Sequence, residues 1–135
     1  MKREKAIIDG LNVAYLQAPQ ERRPKLEHIS AIAHAIEMSG RDPVIIIDPT
    51  IRSLVADPGA LGRLLSDPRV TTLPDGKDMG RFVLEISDRL DGVIVSNNTY
   101  AEYYEDYPWV EQKRIGVAVV NGAILLLDTK MKRAS

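Results

Sequence analysis

The sequence contains no cysteine in its 135 residues. This absence excludes disulfide bonds, thiolate zinc sites and cysteine nucleophiles, and it is typical of proteins in a reducing compartment. The segment from Met1 to Lys5 leads into a strand-like stretch that is too short for the apolar core of a signal peptide. We therefore expect a cytoplasmic protein.

The sequence also lacks a long apolar run and a strong excess of charge. No run approaches the ~20 residues that cross a bilayer, so we expect no membrane association. The formal net charge is −1, which means that any binding of nucleic acid depends on a local basic patch. The globular composition, with 44% hydrophobic residues, predicts one domain over residues 1–135 with flexible tails at residues 1–4 and 130–135.

What the sequence does contain is a regular alternation of apolar strands and amphipathic helices. The predicted strands cover residues 6–8, 44–47, 70–73, 92–95, 117–120 and 123–127, and the predicted helices begin near residues 26, 59 and 78. Pro43 and Pro49 bound the second strand, and Asn121-Gly122 is typical of a type I′ hairpin turn. The pattern predicts an α/β fold with three α/β/α layers and a mostly parallel central sheet that closes with a C-terminal hairpin.

Polar residues stand where the predicted strands end. Asp9 and Asp48 close the first two strands, and Ser96-Asn97-Asn98 follow a later one. Because parallel sheets bind ligands beyond the carboxyl ends of their strands, we expect these residues at one rim. Asp9 is a candidate Mg²⁺ ligand there, although an aspartate after a strand more often caps a loop. Asp78 precedes a helix and is equally well explained as its N-cap.

Two segments resemble a known family. Ile7-Ile8-Asp9-Gly10-Leu11-Asn12-Val13-Ala14 and Asp91-Gly92-Val93-Ile94-Val95-Ser96-Asn97-Asn98-Thr99-Tyr100 resemble the NYN branch of the PIN-like nucleases. The likeness is to the ribonuclease domain of the Regnase-type CCCH zinc-finger proteins, in which a DGxNVA segment opens the domain and a VSND-type segment follows a later strand. It runs in order from about residue 6 to residue 104. The resemblance implies a PIN-like fold and an endoribonuclease that depends on Mg²⁺ or Mn²⁺.

The resemblance also implies which residues form the site. Asp9 matches the first acid of the family, and Asn12 matches the asparagine that helps to order the site. Asp78 is the candidate for the helix-borne acid, with a spacing that differs by about one residue, and Asp75 is the reserve candidate. Glu102 matches a further acid. The implied metal ligands are therefore Asp9, Asp78 and Glu102.

Asn98 departs from the family pattern, because the family has an acid at this position. An amide lacks the charge that holds a hard cation and helps to deprotonate water. The resemblance implies that a metal-held water hydrolyses single-stranded or looped RNA, with Asn98 as a weakened member of the catalytic set. The alternative is a catalytically silent NYN-like module that binds RNA or a protein partner.

Basic and polar residues near the predicted rim are candidate RNA contacts, although basic residues in loops are most often only solvated. These candidates are Arg22, Arg23, Lys25, Lys77, Arg81, Ser96, Asn97 and Tyr100. We expect sequence specificity to come from a homodimer or a partner protein, for which the apolar hairpin at residues 117–127 offers a sheet edge. A third reading is a nucleotide-binding or phospho-signalling domain, but the sequence has no well-formed glycine-rich phosphate loop.

Overall fold

The computed structural model describes residues 3–16 and 24–127 of the chain. The strands are β1 (Lys5–Asp9), β2 (Asp42–Ile47), β3 (Val70–Thr72), β4 (Val93–Val95), β5 (Arg114–Val120) and β6 (Ala123–Leu127). The α-helices are α1 (Gly10–Ala14), α2 (Leu26–Met38), α3 (Pro58–Leu65), α4 (Met79–Leu90) and α5 (Val110–Lys113). Short 3₁₀ helices cover Pro49–Ser53 and Ala101–Tyr103. Among these described helices, none combines the length and apolar character that crossing a membrane demands.

The six strands form one sheet in the order β3-β2-β1-β4-β5-β6. All neighbouring pairs are parallel except β5 and β6, which are antiparallel. Asn121 and Gly122, which join that last pair, have φ values of 51° and 81°, as the type I′ turn requires. The predicted mostly parallel sheet with a C-terminal hairpin is therefore confirmed.

Alternate residues of the central strands enter two separate cores. Ala6 and Ile8 of β1 pack in a cluster with α1, α2 and α3, whereas Ile7 packs on the opposite face with α4 and α5. β2 alternates in the same way, with Ile45 and Ile47 on the first face and Ile46 on the second. Because successive side chains of a strand point to opposite faces, helices cover both sides of the sheet. The three-layer α/β/α fold is confirmed.

β2 includes Pro43, which the sequence pattern predicts as a boundary. The Asp42 amide donates to the Glu4 carbonyl at 2.9 Å, and the Ile45 amide donates to the Arg69 carbonyl at 2.9 Å. Successive backbone amides of a strand point to opposite sides, so the Pro43 nitrogen faces the side on which β3 lies. The pairing of β2 with β3 begins only at Ile45, two residues later. The missing N–H therefore removes no sheet hydrogen bond, which is why a proline is tolerated.

Gly10 joins β1 directly to α1, where the sequence pattern predicts only a turn. A Cβ atom at this position would lie 2.5 Å from the Ile46 carbonyl oxygen and 2.7 Å from Ile47 Cδ1. The carbonyl belongs to the β2 backbone and cannot move without disturbing the sheet. Close packing of α1 on β2 therefore requires glycine immediately after Asp9.

We predict opposite effects of alanine at two glycines. Gly10→Ala should lower the free energy of unfolding by roughly 1–3 kcal/mol, as overpacking does. Gly62→Ala, in α3 where an added Cβ meets no atom within 4 Å, should raise it by roughly 0.5–1 kcal/mol because alanine is the better helix former. Urea unfolding followed by circular dichroism measures both values. A Gly10→Ala variant as stable as the wild type contradicts the packing of α1 on β2.

Candidate functional site

The candidate site lies at the carboxyl edge of the sheet, between β1 and β4. The chain passes from β1 to β2 on one side and later returns to β4 on the other, so the strand order changes direction between these two strands. Such a switch point leaves a crevice beyond the strand ends. A groove of about 350 Å³ lies here, lined by Asp9, Leu11, Asn12, Tyr15, Met79, Gly80 and Asn98.

Asp9 is the acid in this groove, and its side chain is almost completely buried, with 4% of the residue exposed. Its Oδ1 accepts a hydrogen bond from the Asn12 amide at 3.3 Å, which caps α1. Its Oδ2 accepts the Tyr100 hydroxyl at 2.7 Å and contacts Ser96 Oγ at 3.5 Å. Asp9 is the last residue of β1 and lies two positions after Ile7, so the two side chains point to the same face of the sheet. Tyr100 packs in the core on that face, under α4.

Burial raises the pKa of the Asp9 carboxyl above its ordinary value. Hydrogen bonds from Tyr100, Asn12 and Ser96 act in the opposite direction, because they stabilise the ionised form. The same burial, together with the nearby Asp9 charge, raises the pKa of the Tyr100 hydroxyl, which keeps that hydroxyl a neutral donor. A positive charge in the groove would favour the ionised carboxylate.

Asn12 and Asn97 tie β1, β4 and β5 together beside Asp9. Asn12 Oδ1 accepts a hydrogen bond from the backbone N–H of Asn97 at 2.9 Å. The side chain of Asn97 in turn donates to the Val117 carbonyl and accepts the Val117 amide, both at 2.8 Å. Asn12 therefore links the end of β1 to the segment after β4, and its role in ordering a catalytic site stays a prediction.

The segment after β4 is a tight loop held by its own polar side chains. The Asn98 amide donates to Ser96 Oγ at 3.1 Å, and Asn98 Oδ1 accepts the Tyr100 amide at 3.1 Å. Tyr100 has a left-handed backbone conformation with φ of 57°. The Asn98 oxygen therefore has a structural partner, while the residue as a whole is exposed and lines the groove.

Asp78 acts as the N-cap of α4. Its Oδ2 accepts the Arg81 amide at 3.1 Å and also accepts the Tyr103 hydroxyl. The bond to Asp78 raises the pKa of Tyr103 to about 12. The N-cap role, which the sequence left open for Asp78, is therefore seen in the structure. Asp75, the reserve candidate, is an exposed residue of the preceding turn.

The predicted three-acid metal site is not assembled in the described structure. Within residues 3–16 and 24–127, no three His, Cys, Asp or Glu side chains lie together in a way that could hold a metal ion. Asp78 caps α4 and Glu102 is exposed on the 3₁₀ helix, and the role of Asp9, Asp78 and Glu102 as joint metal ligands stays a prediction. Asp9 alone still fits a hard cation, since Mg²⁺ is commonly held by one or two carboxylates with water and phosphate completing its shell.

Burial excludes two of the predicted RNA contacts. Tyr100 and Ser96 are both 0% exposed, so neither reaches a bound RNA. Tyr100 fills the core beneath α4 and has a left-handed backbone conformation. The Asn97 residue is exposed, but its amide group is bonded to β5.

The basic candidates differ in their surroundings. Lys77 is exposed beside the start of α4. Arg81 forms an ion pair with Asp106 at 3.3 Å and lies 5.5 Å from the centre of the Tyr103 ring. Lys25 is partly buried at the start of α2. The remaining two candidates, Arg22 and Arg23, lie outside the described residues.

Sequence reasoning missed several neighbours of the site. Tyr15 and Met79 line the groove, and Arg114 donates to the Ser96 carbonyl at 3.0 Å from the start of β5. The sequence offered one signal for Tyr15, because it directly follows the DGLNVA segment and lies three residues after Asn12. It offered none for Arg114, because only the strand order brings β5 beside β4.

The chain is similar to a known protein family and to two solved structures. The family model described as the Zc3h12a-like Ribonuclease NYN domain matches residues 2–135. No curated protein matches the chain significantly. The crystal structure of nuclear proteinaceous RNase P 2 (PRORP2) from A. thaliana is 19% identical over 93% of this chain, with a TM-score of 0.73. A second structure, of Arabidopsis thaliana nuclear protein-only RNase P 2, is 17% identical over 93% of this chain, with a TM-score of 0.72.

The chain spans only about 30% of the length of these two RNase P proteins. At such low identities the likeness establishes the fold alone. Together with the family match, it identifies the α/β/α architecture as the PIN-like NYN fold.

We predict that Asp9→Asn stabilises the protein at neutral pH. The folded-state pKa of Asp9 is raised, so between its ordinary value near 3.8 and that raised value the folded state binds more protons than the unfolded state. Stability is therefore lost as pH rises through this window, and the loss is complete above it. Asparagine keeps an acceptor for Tyr100 without the buried charge.

Thermal unfolding of both proteins between pH 4 and pH 8 tests this expectation. The melting temperature of Asp9→Asn should exceed that of the wild type at pH 7, and the difference should shrink towards pH 4. The exposed Asp75→Asn is the matched control and should leave the melting temperature unchanged. A wild type more stable than Asp9→Asn at pH 7 contradicts the buried-charge interpretation.

Proposed function

Because the chain belongs to the Zc3h12a-like ribonuclease NYN domain family, we propose that it is a metal-dependent endoribonuclease that hydrolyses phosphodiester bonds in single-stranded or looped RNA. The family by itself suggests RNA endonuclease activity. The observation that carries the finer proposal is the buried Asp9 carboxylate in the groove at the switch point. A buried carboxylate with a raised pKa in a crevice is typical of a functional site.

In this proposal Asp9 holds Mg²⁺ or Mn²⁺. A bound ion of this kind polarises the scissile phosphate and lowers the pKa of an attacking water. Asp9 supplies the negative charge for it in a poorly solvated position, where electrostatic attraction is stronger than in water. The groove leaves the remaining coordination positions to water and to the phosphate of the substrate.

The other groove residues have complementary tasks. Asn98 offers amide N–H groups to a phosphate oxygen, while its Oδ1 holds the Tyr100 amide. Tyr15 in the groove wall offers a ring for stacking an unpaired base, which favours single-stranded over double-stranded RNA. Lys77, exposed beside the start of α4, supplies a positive charge for the phosphate backbone. Specificity from a homodimer or partner protein stays a prediction.

The decisive experiment is cleavage of labelled single-stranded RNA, with DNA in parallel, in Mn²⁺ and in EDTA. Wild type should cut RNA only with the metal, and Asp9→Asn should lower kcat by about 100-fold or more because the cation loses its charged ligand. Asn98→Asp should raise activity, because aspartate keeps the Oδ1 that binds the Tyr100 amide and adds a negative charge. Asn121→Asp places the same charge on the distant hairpin turn and should change nothing.

A catalytically silent RNA-binding module is the second candidate. It is favoured by the amide at Asn98 and by the lack of a three-acid group within the described parts of the chain. Calorimetric titration of Mn²⁺ into the protein separates the two functions. The nuclease proposal expects binding that Asp9→Asn removes. Binding of RNA by a protein that takes up no Mn²⁺, or takes it up equally in Asp9→Asn, supports the silent module.

A further inference from the structure

Tyr100 combines a buried ring with an unusual backbone. It is 0% exposed, and its φ of 57° places a bulky residue in the left-handed region that glycine and asparagine normally occupy. Strained backbone of this kind persists only where the surrounding structure imposes it, and it is concentrated at functional sites. The conformation therefore calls for a reason beyond packing.

The surrounding loop imposes this conformation through two side chains. Asn98 Oδ1 accepts the Tyr100 amide at 3.1 Å, and Ser96 Oγ accepts the Asn98 amide at 3.1 Å. The ring then packs among apolar residues under α4, including Ile7, Val83 and Leu84. Both backbone and ring are consequently fixed before any ligand is present.

The consequence is a defined position for the Tyr100 hydroxyl, 2.7 Å from Asp9 Oδ2. The two oxygens of Asp9 are therefore unequal. Oδ2 is turned towards the buried hydroxyls of Tyr100 and Ser96. Among the described residues, Oδ1 accepts the longer, part-buried bond from the Asn12 amide, and both Asp9 and Asn12 line the groove. An oxygen that already accepts a short hydrogen bond in the core is poorly placed to coordinate a cation from the groove.

We propose that Tyr100 is a positioning residue that fixes the orientation of the Asp9 carboxylate and leaves Oδ1 as the oxygen that coordinates the divalent cation. This inference rests on the proposed metal-dependent function. It gives Asn98 a second task, because the side-chain oxygen of residue 98 holds Tyr100 in place whether that residue is an amide or an acid. Substitution of the family acid by asparagine thus keeps the geometry of Asp9 and removes only a charge.

A second tyrosine provides the matched control. Tyr103 also donates its hydroxyl to a carboxylate, that of Asp78. Tyr103 is only partly buried, lies within a 3₁₀ helix, and contacts the N-cap of α4 rather than the acid in the groove. Tyr100→Phe and Tyr103→Phe therefore remove the same chemical contact at two different acids.

The first measurement is the dissociation constant of Mn²⁺ by calorimetry in the absence of RNA. Loss of a residue that orients a metal ligand typically costs about 10–100-fold in metal affinity or activity. Tyr100→Phe should weaken Mn²⁺ binding by roughly that factor, whereas Tyr103→Phe should bind as the wild type does. At saturating Mn²⁺, kcat of Tyr100→Phe should fall while KM for RNA stays unchanged, because the groove wall is intact.

The second measurement needs neither metal nor activity. Urea unfolding of wild type, Asp9→Ala, Tyr100→Phe and the double variant forms a double-mutant cycle, in which alanine removes the acceptor and phenylalanine removes the donor. The effects of the two substitutions should be non-additive, because both act on one hydrogen bond. Additive effects would show that the bond is absent in solution and would overturn the inference, whatever the activity of the enzyme.

The outcomes separate this inference from the proposed function. A wild type that neither binds Mn²⁺ nor cuts RNA overturns the proposed function and, with it, the positioning of a metal ligand. A wild type that binds and cuts, with Tyr100→Phe unchanged in both affinity and kcat, overturns the inference alone and leaves Tyr100 as a core residue. Weakened Mn²⁺ binding in Tyr100→Phe but not in Tyr103→Phe, with a non-additive cycle, supports it.

Discussion

The structure depends on how one carboxylate is buried at the point where the strand order changes direction. Burial of a charge in a protein interior is costly unless hydrogen bonds or opposite charges offset the loss of water. Here neutral groups provide that offset, namely the Tyr100 hydroxyl, the Asn12 amide and Ser96 Oγ. Such an arrangement keeps Asp9 in place by neutral groups, with no cationic partner seen among the described residues, which is the condition that suits a site for a cation.

The neighbouring sequence features follow from this constraint. Gly10 allows α1 to begin immediately beyond β1, close against the backbone of β2, and so places the Asn12 amide within reach of Asp9. The amide clamp of Asn97 on Val117 ties the loop after β4 to the next strand. The two segments that resemble the family thus lie side by side at one site, because each ends a parallel strand at the same rim of the sheet.

Asn98 separates two tasks that an acid at this position would perform together. Its oxygen accepts the Tyr100 amide, which is a matter of geometry and is independent of charge. Attraction of a hard cation depends on charge, which the amide lacks. With Asn98 in place of an acid, the geometry of the loop after β4 is kept, but the negative charge that would attract a cation is reduced. The fold can therefore match the family even though the charge at position 98 is absent.

The sequence by itself determined the elements whose causes are local. Short apolar runs predicted the central strands, and Asn121-Gly122 predicted the hairpin turn, because each depends on residues within a few positions along the chain. The sequence also allowed Asp78 as a helix cap, beside the metal-ligand role that the resemblance implies. Tertiary structure alone decided that Tyr100 is buried against Asp9, 91 positions away, and that Asp9, Asp78 and Glu102 do not form one group. The reason is physical: a side chain's partners across the sheet are set by strand order and by the direction of its backbone, and the left-handed turn at Tyr100 cannot be read from residue type.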